Sequence, residues 1–322
     1  MPSVIKPMLA TLVDDPFSDP DWIFETKWDG FRSVCFIKNG KARFVSRNQI
    51  EMTPQYPELA QVAKQIGAKE VILDGEICAL DSHGVPRFQL LQRKGGARRP
   101  PIVYFVFDLL YVDGYDLMNC SVVERKAKLA EILLPSNVIR LSEHVEGDGE
   151  AFFREIEKFH LEGMMAKRAA SKYVQKRSSD WLKVKTIMRQ EVVIGGYTEP
   201  RGTRSHFGSL VCGLYRDDEL HYVAHIGGGF NEKTLASTYK LMQPLKSEKS
   251  PFVAVPKTNE PVQWLKPKLV AEVKFSEWTA DTRLRHPVFI GMRQDKKATD
   301  CRFEFEADTD AVVHKPTNRR KR

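Results

Sequence analysis

Short apolar runs bounded by turn signals recur along this chain, the pattern of β-strands, mixed with segments of helical spacing. Ser33–Ile37 and Phe44–Ser46 read as a hairpin that turns at Asn39-Gly40, a dipeptide suited to the positive φ of a tight turn. Val71–Leu73, Ile77–Leu80 and Ile102–Leu110 read as further strands, and the stretch Tyr104–Val112 is apolar enough to be buried despite Asp108. Tyr56–Ile66 has helical spacing. Ser121–Leu134 reads as a helix whose first turn carries Ser121 and Glu124, a capping-box pair that can satisfy two amide donors. Phe152, Ile156 and Phe159 line one side of another helix that begins near Asp148.

The texture changes after Met188. Glu191–Thr198, Ser209–Arg216 and Leu220–Ile226 are short strand patterns, followed by a helix over Glu232–Met242. A proline-rich connection (Pro251, Pro256, Pro261, Pro267) leads to strands at Leu269–Phe275 and Val288–Ile290. Several strands and one helix suit a small β-barrel, and a β-sandwich fits the periodicity equally well. No internal repeat is visible.

A length of 322 residues favours two domains, because single cores usually stop growing at about 250 to 300 residues. Hydrophobic residues at 42% and charged residues at 29% describe an ordinary globular chain. The excess of 50 Lys and Arg over 42 Asp and Glu gives a net charge of +8, which favours a polyanionic partner such as nucleic acid. Cys35, Cys78, Cys120, Cys212 and Cys301 are scattered and never in a C-x-x-C pair. That argues against a disulfide framework or a cysteine zinc site and fits a reducing, cytoplasmic compartment. Met1–Ala10 lacks the apolar core of a secretory signal, and no run approaches the about 18 apolar residues of a membrane span. From Asp300 the chain is acidic (Glu304, Glu306, Asp308, Asp310) and then basic (Lys315, Arg319–Arg322). It reads as a solvated end or as an electrostatic tether to DNA.

Four groups of residues could carry chemistry. In Glu25-Thr26-Lys27-Trp28-Asp29-Gly30-Phe31-Arg32 a lysine sits among large apolar side chains and precedes Asp-Gly. Such a lysine becomes a nucleophile if burial and neighbouring cations lower its pKa; it could equally be a surface lysine beside a turn. Asp74-Gly75-Glu76 and Glu162-Gly163 each put a carboxylate at one end of an apolar strand, where it could hold a hard cation or a ribose hydroxyl, or simply close a turn. Lys183 and Lys185 alternate with Leu182 and Val184, so both point to one side of a strand and could grip a phosphate. Arg283, Arg285, Arg293 and Lys296 could bind a triphosphate or a phosphate backbone, or form a solvated basic face. No Walker motif, dinucleotide fingerprint, His-Glu-x-x-His or Gly-x-Ser-x-Gly is present.

Taken in order, these segments resemble the ATP-dependent DNA ligases of the covalent nucleotidyltransferase superfamily, above all the ligase domain of bacterial end-joining ligase D and related stand-alone bacterial ligases. The likeness rests on Lys6–Ala10, Trp22–Gly30, Ser46–Asn48, Phe107–Gly114, Glu162–Lys167 and Arg285–Phe289, and spans residues 6 to about 297. It implies an α+β adenylation (nucleotidyltransferase) domain with antiparallel sheets over 1–187, an OB-fold barrel over 188–300, and a charged tail over 301–322. It also implies roles. Lys27 would attack the α-phosphate of ATP. Lys183 and Lys185 would neutralise that phosphate. Glu162, with Glu76, would hold magnesium or manganese. Glu76 would otherwise contact the ribose, Phe107 would stack on adenine, and Glu25 would lie at the base edge. Asp29 and Lys167 would also contact the nucleotide, and Arg32 and Arg47 would contact the nucleotide or the nick. Arg293, Asp295 and Lys296 would orient pyrophosphate. The implied partner is nicked duplex DNA, with the bacterial Ku protein a candidate, and the implied location is the nucleoid. A monomer is the default. An RNA ligase or a GTP-using capping enzyme is the alternative, because both share Lys-x-Asp-Gly.

Overall fold

The structure is a computed structural model that describes residues 1–91, 100–202 and 204–314. The basic end of the expected tail, from Lys315, lies outside the described residues. Contacts divide the chain into two units, Met1–Thr186 with the segment from Phe305 onward, and Ile187–Glu304.

In chain order the first unit holds β1 (Leu9–Leu12), β2 (Asp19–Thr26), β3 (Phe31–Lys38), β4 (Lys41–Ser46) and β5 (Val71–Ala79). Next come α1 (Phe88–Leu91), β6 (Ile102–Val112), β7 (Tyr115–Asp116), α2 (Val122–Ile132), β8 (Ile139–Leu141) and β9 (His144–Gly147). It continues with α3 (Gly149–Lys158), β10 (Gly163–Arg168) and β11 (Arg177–Lys185). One sheet runs β1-β11-β10-β2-β9, and the other β4-β3-β5-β6-β7 with β8 beside β6. Trp181 of the first sheet packs with Val34, Phe36, Ile72 and Phe107 of the second, so one core lies between the sheets. The opposite face of the first sheet buries Trp22, Phe24, Met164, Ala166, Leu182 and Val184 against Phe153 of α3.

The hairpin turns at Asn39 and Gly40, both at positive φ (52° and 70°). The two strands expected around Asp74-Gly75-Glu76 are one, because β5 pairs without a break with β3 and, through two register shifts, with β6. The helical spacing of Tyr56–Ile66 is realised as a 3-10 segment, Pro57–Gln65. The Ser121–Glu124 capping box forms as expected at the start of α2. On α3 Ile156 is buried and Phe152 partly buried, as expected, and Phe153 joins them in the core, while Phe159 at the C-cap is exposed and leaves the expected stripe.

The second unit holds β12 (Arg189–Thr198), β13 (Leu210–Arg216), β14 (Glu219–Ile226), α4 (Glu232–Met242), β15 (Lys246–Ser247), β16 (Val262–Lys274) and β17 (Val288–Arg293). The sheet order is β14-β13-β12-β16-β15, with β17 also beside β16. Gly228, just past β14, bridges Val288 at the start of β17, which curls the sheet toward closure. That favours a barrel over a sandwich. Pro267 falls inside β16 rather than in a connection. Its place is where the register with β12 jumps from Trp264 to Leu269, so its missing N–H breaks no ladder bond.

The acidic segment after Glu304, expected to be part of a solvated end or a tether to DNA, packs on the first unit. Ala307 donates its amide to the Leu12 carbonyl at 3.1 Å and accepts from Asp14 N at 3.2 Å. Thr309 donates its amide and its hydroxyl to the Asp14 carboxylate, at 3.0 and 2.8 Å. α5 (Thr309–Val313) then buries Val313 in the core beneath the first sheet. The reason is the small and apolar content of Ala307, Thr309 and Val313, which a reading by charge overlooks.

Candidate active site

The first sheet sets a row of side chains by register alone. Along β2, β10 and β11, Glu25, Met165 and Lys183 stand directly opposite one another, so all three leave on the same face. Two residues along, Gly163 faces Lys185, and the Lys27 amide donates to the Gly163 carbonyl at 2.9 Å. Glu162 precedes Gly163, and its carboxylate is ion-paired with the Lys27 ammonium. Lys27, Glu162, Lys183 and Lys185 are all half-buried. The structure therefore gathers the expected nucleophile, one expected metal ligand and both phosphate-binding lysines at one end of three adjacent strands.

The second sheet adds its own row. Arg32, Glu76 and Phe105 are register partners on β3, β5 and β6. Phe107 lies at a register shift, since Val106 pairs with Gly75 and Asp108 with Asp74, and a bulge of this kind re-aims a side chain. The Phe107 ring is 9% exposed, with the Arg32 guanidinium 4.9 Å and the Lys167 ammonium 4.6 Å from its centre. Arg32 also makes a two-pronged ion pair with Asp74 (3.0 and 2.6 Å), and the Tyr173 hydroxyl donates to the same carboxylate at 2.6 Å. Burial opposes the Arg32 charge, but Asp74 holds its pKa above the ordinary value.

Gly30 joins the two sheets. A Cβ there would collide with the Ile77 carbonyl and the Cys78 sulfur, so only glycine lets the chain after Lys27 cross β5 this closely. Burial pushes the Cys78 thiol well above its usual pKa, and the nearby carboxylates of Glu76, Asp29 and Glu162 push it further. Asp29 also accepts the Phe88 amide at 3.3 Å. Arg47 is half-buried, one residue past β4.

Glu25 is 1% exposed and more enclosed than a base-edge residue would suggest. Its carboxylate takes Lys167 at 2.8 Å and Lys126 at 3.0 Å. Burial works against its charge, and the two lysines hold its pKa below the carboxylate norm. Burial in turn pushes Lys167 down to about 8, against the pull of Glu25. Lys126 and Tyr173 had no place among the expected site residues, and Asp74, named beside Glu76, had no role of its own. Lys126 did leave a signal: with Arg125 it occupies the helical positions between Val122 and Leu129 where apolar residues belong.

Arg293, Asp295 and Lys296 lie in the second unit. Arg293 donates to both oxygens of Asp295 (2.8 and 2.7 Å) and to Glu272 (2.9 Å), and Lys296 is ion-paired with Glu191. Among the described residues no three His, Cys, Asp or Glu side chains are grouped as a metal site. This donor set suits magnesium, which is commonly held by one or two carboxylates plus substrate phosphates. Glu162 and Glu76 could supply them.

The family model described as ATP dependent DNA ligase domain matches residues 7–185, and that described as ATP dependent DNA ligase C terminal region matches 203–296. The chain belongs to the ATP-dependent DNA ligase family. It is 38% identical over 315 residues to the multifunctional non-homologous end joining protein LigD of Pseudomonas aeruginosa, covering 95% of this chain and 37% of that protein. It is 36% identical over 308 residues to the protein of the same name from Mycolicibacterium smegmatis, covering 94% of this chain and 40% of that one. The chain thus spans 37 to 40% of the length of these relatives. Among solved structures it is similar to mycobacterial DNA ligase D complexed with ATP and MES, with a TM-score of 0.67, 34% identity and coverage of 92% of this chain and 97% of that one. The ligase domain of Mycobacterium tuberculosis LigD follows with a TM-score of 0.52, 35% identity and coverage of 93% and 98%. These likenesses show the nucleotidyltransferase ligase fold of curled antiparallel sheets. Among the described residues no helix is long and apolar enough to cross a membrane.

Proposed function

We propose that this chain seals 5′-phosphate nicks in duplex DNA, using ATP and a lysyl-AMP intermediate on Lys27. The observation that carries the reading is the half-buried Lys27–Glu162 pair beside Lys183 and Lys185. The unprotonated Lys27 amine attacks the α-phosphorus of ATP. A P–N bond forms, the α–β P–O bond breaks, and pyrophosphate leaves. Lys183 and Lys185 offset the negative charge that builds on the α-phosphate. AMP then passes to a 5′-phosphate oxygen at the nick, which restores Lys27, and the 3′-hydroxyl displaces AMP to close the strand. A bound magnesium ion would supply Lewis acidity near Glu162 and Glu76. Arg32 and Phe107, with Glu25 and Lys167 behind them, form the wall against which the nucleotide rests, while Asp29, Glu76 and Arg47 complete its surroundings. Arg293, Asp295 and Lys296 act on the pyrophosphate in the first step only.

The names of the LigD relatives support a role in end joining, for which Ku is the candidate partner and the nucleoid the place of work. The test is sealing of a 5′-phosphorylated nick with ATP and magnesium, beside an all-RNA duplex, GTP in place of ATP, and Lys27→Ala. DNA joining that needs ATP and Lys27 is expected. Labelling from GTP alone, or joining of RNA alone, would favour the capping or RNA-ligase reading.

A further inference from the structure

Ser142, between β8 and β9, makes hydrogen bonds with every polar group it has, and is wholly buried. Its amide donates to the Val106 carbonyl at 2.7 Å. Its carbonyl accepts from Lys126 Nζ at 2.7 Å. Its hydroxyl accepts from Trp28 Nε1 at 2.9 Å and donates to Glu25 Oε2 at 3.2 Å. Trp28 follows Lys27 and Glu25 lies two residues before it, so one hydroxyl joins the side chains on both sides of the nucleophile. Each anchor is fixed in turn. Trp28 stacks on Phe105 of β6 with ring centres 3.7 Å apart, and Glu25 is held by Lys126 and Lys167. Val106 is the immediate neighbour of Phe107 on the other sheet. The serine therefore ties the strand that carries Lys27 to the strand that carries the expected base-stacking ring.

We infer that Ser142 is a positioning residue for nucleotidyl transfer, coupling Trp28 and Glu25 so that Lys27 is held in register with the nucleotide wall. The inference rests on the reading of Lys27 as the nucleophile. Misplacement of a nucleophile by a fraction of an ångström lowers the rate at saturation more than it weakens binding. A serine that only packed the core would lower stability and leave that rate alone.

The experiment is single-turnover transfer of label from α-labelled ATP to the full chain, for wild type, Ser142→Ala, Trp28→Phe and the double variant. Trp28→Phe keeps an aromatic ring against Phe105 and removes the donor, so it stands if Ser142→Ala fails to fold. Each single change is expected to slow lysyl-AMP formation at saturating ATP about tenfold, the effect of one buried hydrogen bond. The ATP concentration at half-saturation should stay within about twofold, and the double variant should be no slower than the slower single, because both remove the same bond. Multiplying losses, or a wild-type rate in Trp28→Phe, overturns the inference. If Lys27→Ala still accepts label, the proposed nucleophile itself is wrong; if it does not, while Trp28→Phe is unimpaired, only the role of Ser142 falls.

Discussion

The Glu162 carboxylate meets the Lys27 ammonium across the β2–β10 ladder, one residue outside the paired strands on each side. An ion pair favours the protonated lysine, which is not a nucleophile. The pair must therefore loosen when substrate arrives, and a divalent cation that shares the Glu162 carboxylate would loosen it. Glu162→Gln should lower lysyl-AMP formation about hundredfold, the usual effect of losing one electrostatic stabiliser. Chelation of divalent cations should silence labelling in the wild type without moving its unfolding midpoint, since no all-protein metal cage forms among the described residues. Labelling of Glu162→Gln at the wild-type rate would remove Glu162 from the chemistry.

A second ion pair serves the fold. Asp108 and Arg125 are fully buried and meet through two bonds of 2.7 and 2.8 Å. Arg125 also donates to the Cys120 and Ser171 carbonyls, at 2.6 and 3.1 Å. Removing one partner strands the other charge in the core, so Asp108→Ala should destabilise the first unit by about 3 to 5 kcal/mol. Denaturant unfolding reads this directly, and a change under about 1 kcal/mol would contradict the burial seen here.

Much of this was legible in the sequence because strand register does the positioning. Alternation alone predicts that Lys183 and Lys185 share a face with Leu182 and Val184 behind them, and the structure agrees. The Ser121 cap and the Asn39-Gly40 turn were legible for the same reason, each being a local choice. What escaped depends on contacts between distant segments. Ser142 carries no pattern of its own, and the partners of its hydroxyl lie 114 and 117 residues away. The docking of Val313 escaped because five acids in the same stretch dominate its composition.

Lys167 makes a pH prediction. Buried in the fold, it titrates at about 8 instead of the ordinary 10.5. Between those values the unfolded chain holds a proton that the folded chain has released, so folding stability gained from this group rises with pH across that window. Lys167→Met should lack the rise. Unfolding midpoints of both proteins at pH about 7.5 and about 9.5 test it; equal differences at the two pH values would mean that Lys167 is not desolvated.

The segment after Glu304 belongs to the first unit through Ala307, Thr309 and Val313. A chain ending at Glu304 should lose the buried valine and the Thr309–Asp14 bonds. Roughly 2 to 4 kcal/mol of stability in the first unit should go with them, counted as one apolar side chain and two or three hydrogen bonds. Thermal unfolding of the shortened chain checks this, and an unchanged midpoint would restore the reading as a solvated tail.

Arg293 and Lys296 of the second unit are not loose surface charges. Lys296 is ion-paired with Glu191, and Arg293 is held by Asp295 and Glu272. Burial opposes the Arg293 charge, yet Asp295 and Glu272 keep its pKa well above the ordinary value, so it stays a cation at any working pH. Cations already neutralised by acids make poor general DNA-binding groups, but they are pre-aimed to meet one specific anion. If that anion is the pyrophosphate of the first step, damage to the cluster should divide the reaction. Lys296→Ala should slow lysyl-AMP formation about hundredfold. It should leave sealing of a nick that already carries a 5′-adenylate within about twofold of wild type, because no pyrophosphate leaves in that step. Equal losses in both assays would mean that Lys296 acts on DNA or on the stability of the second unit. A loss confined to the pre-adenylated nick would reverse its assigned step.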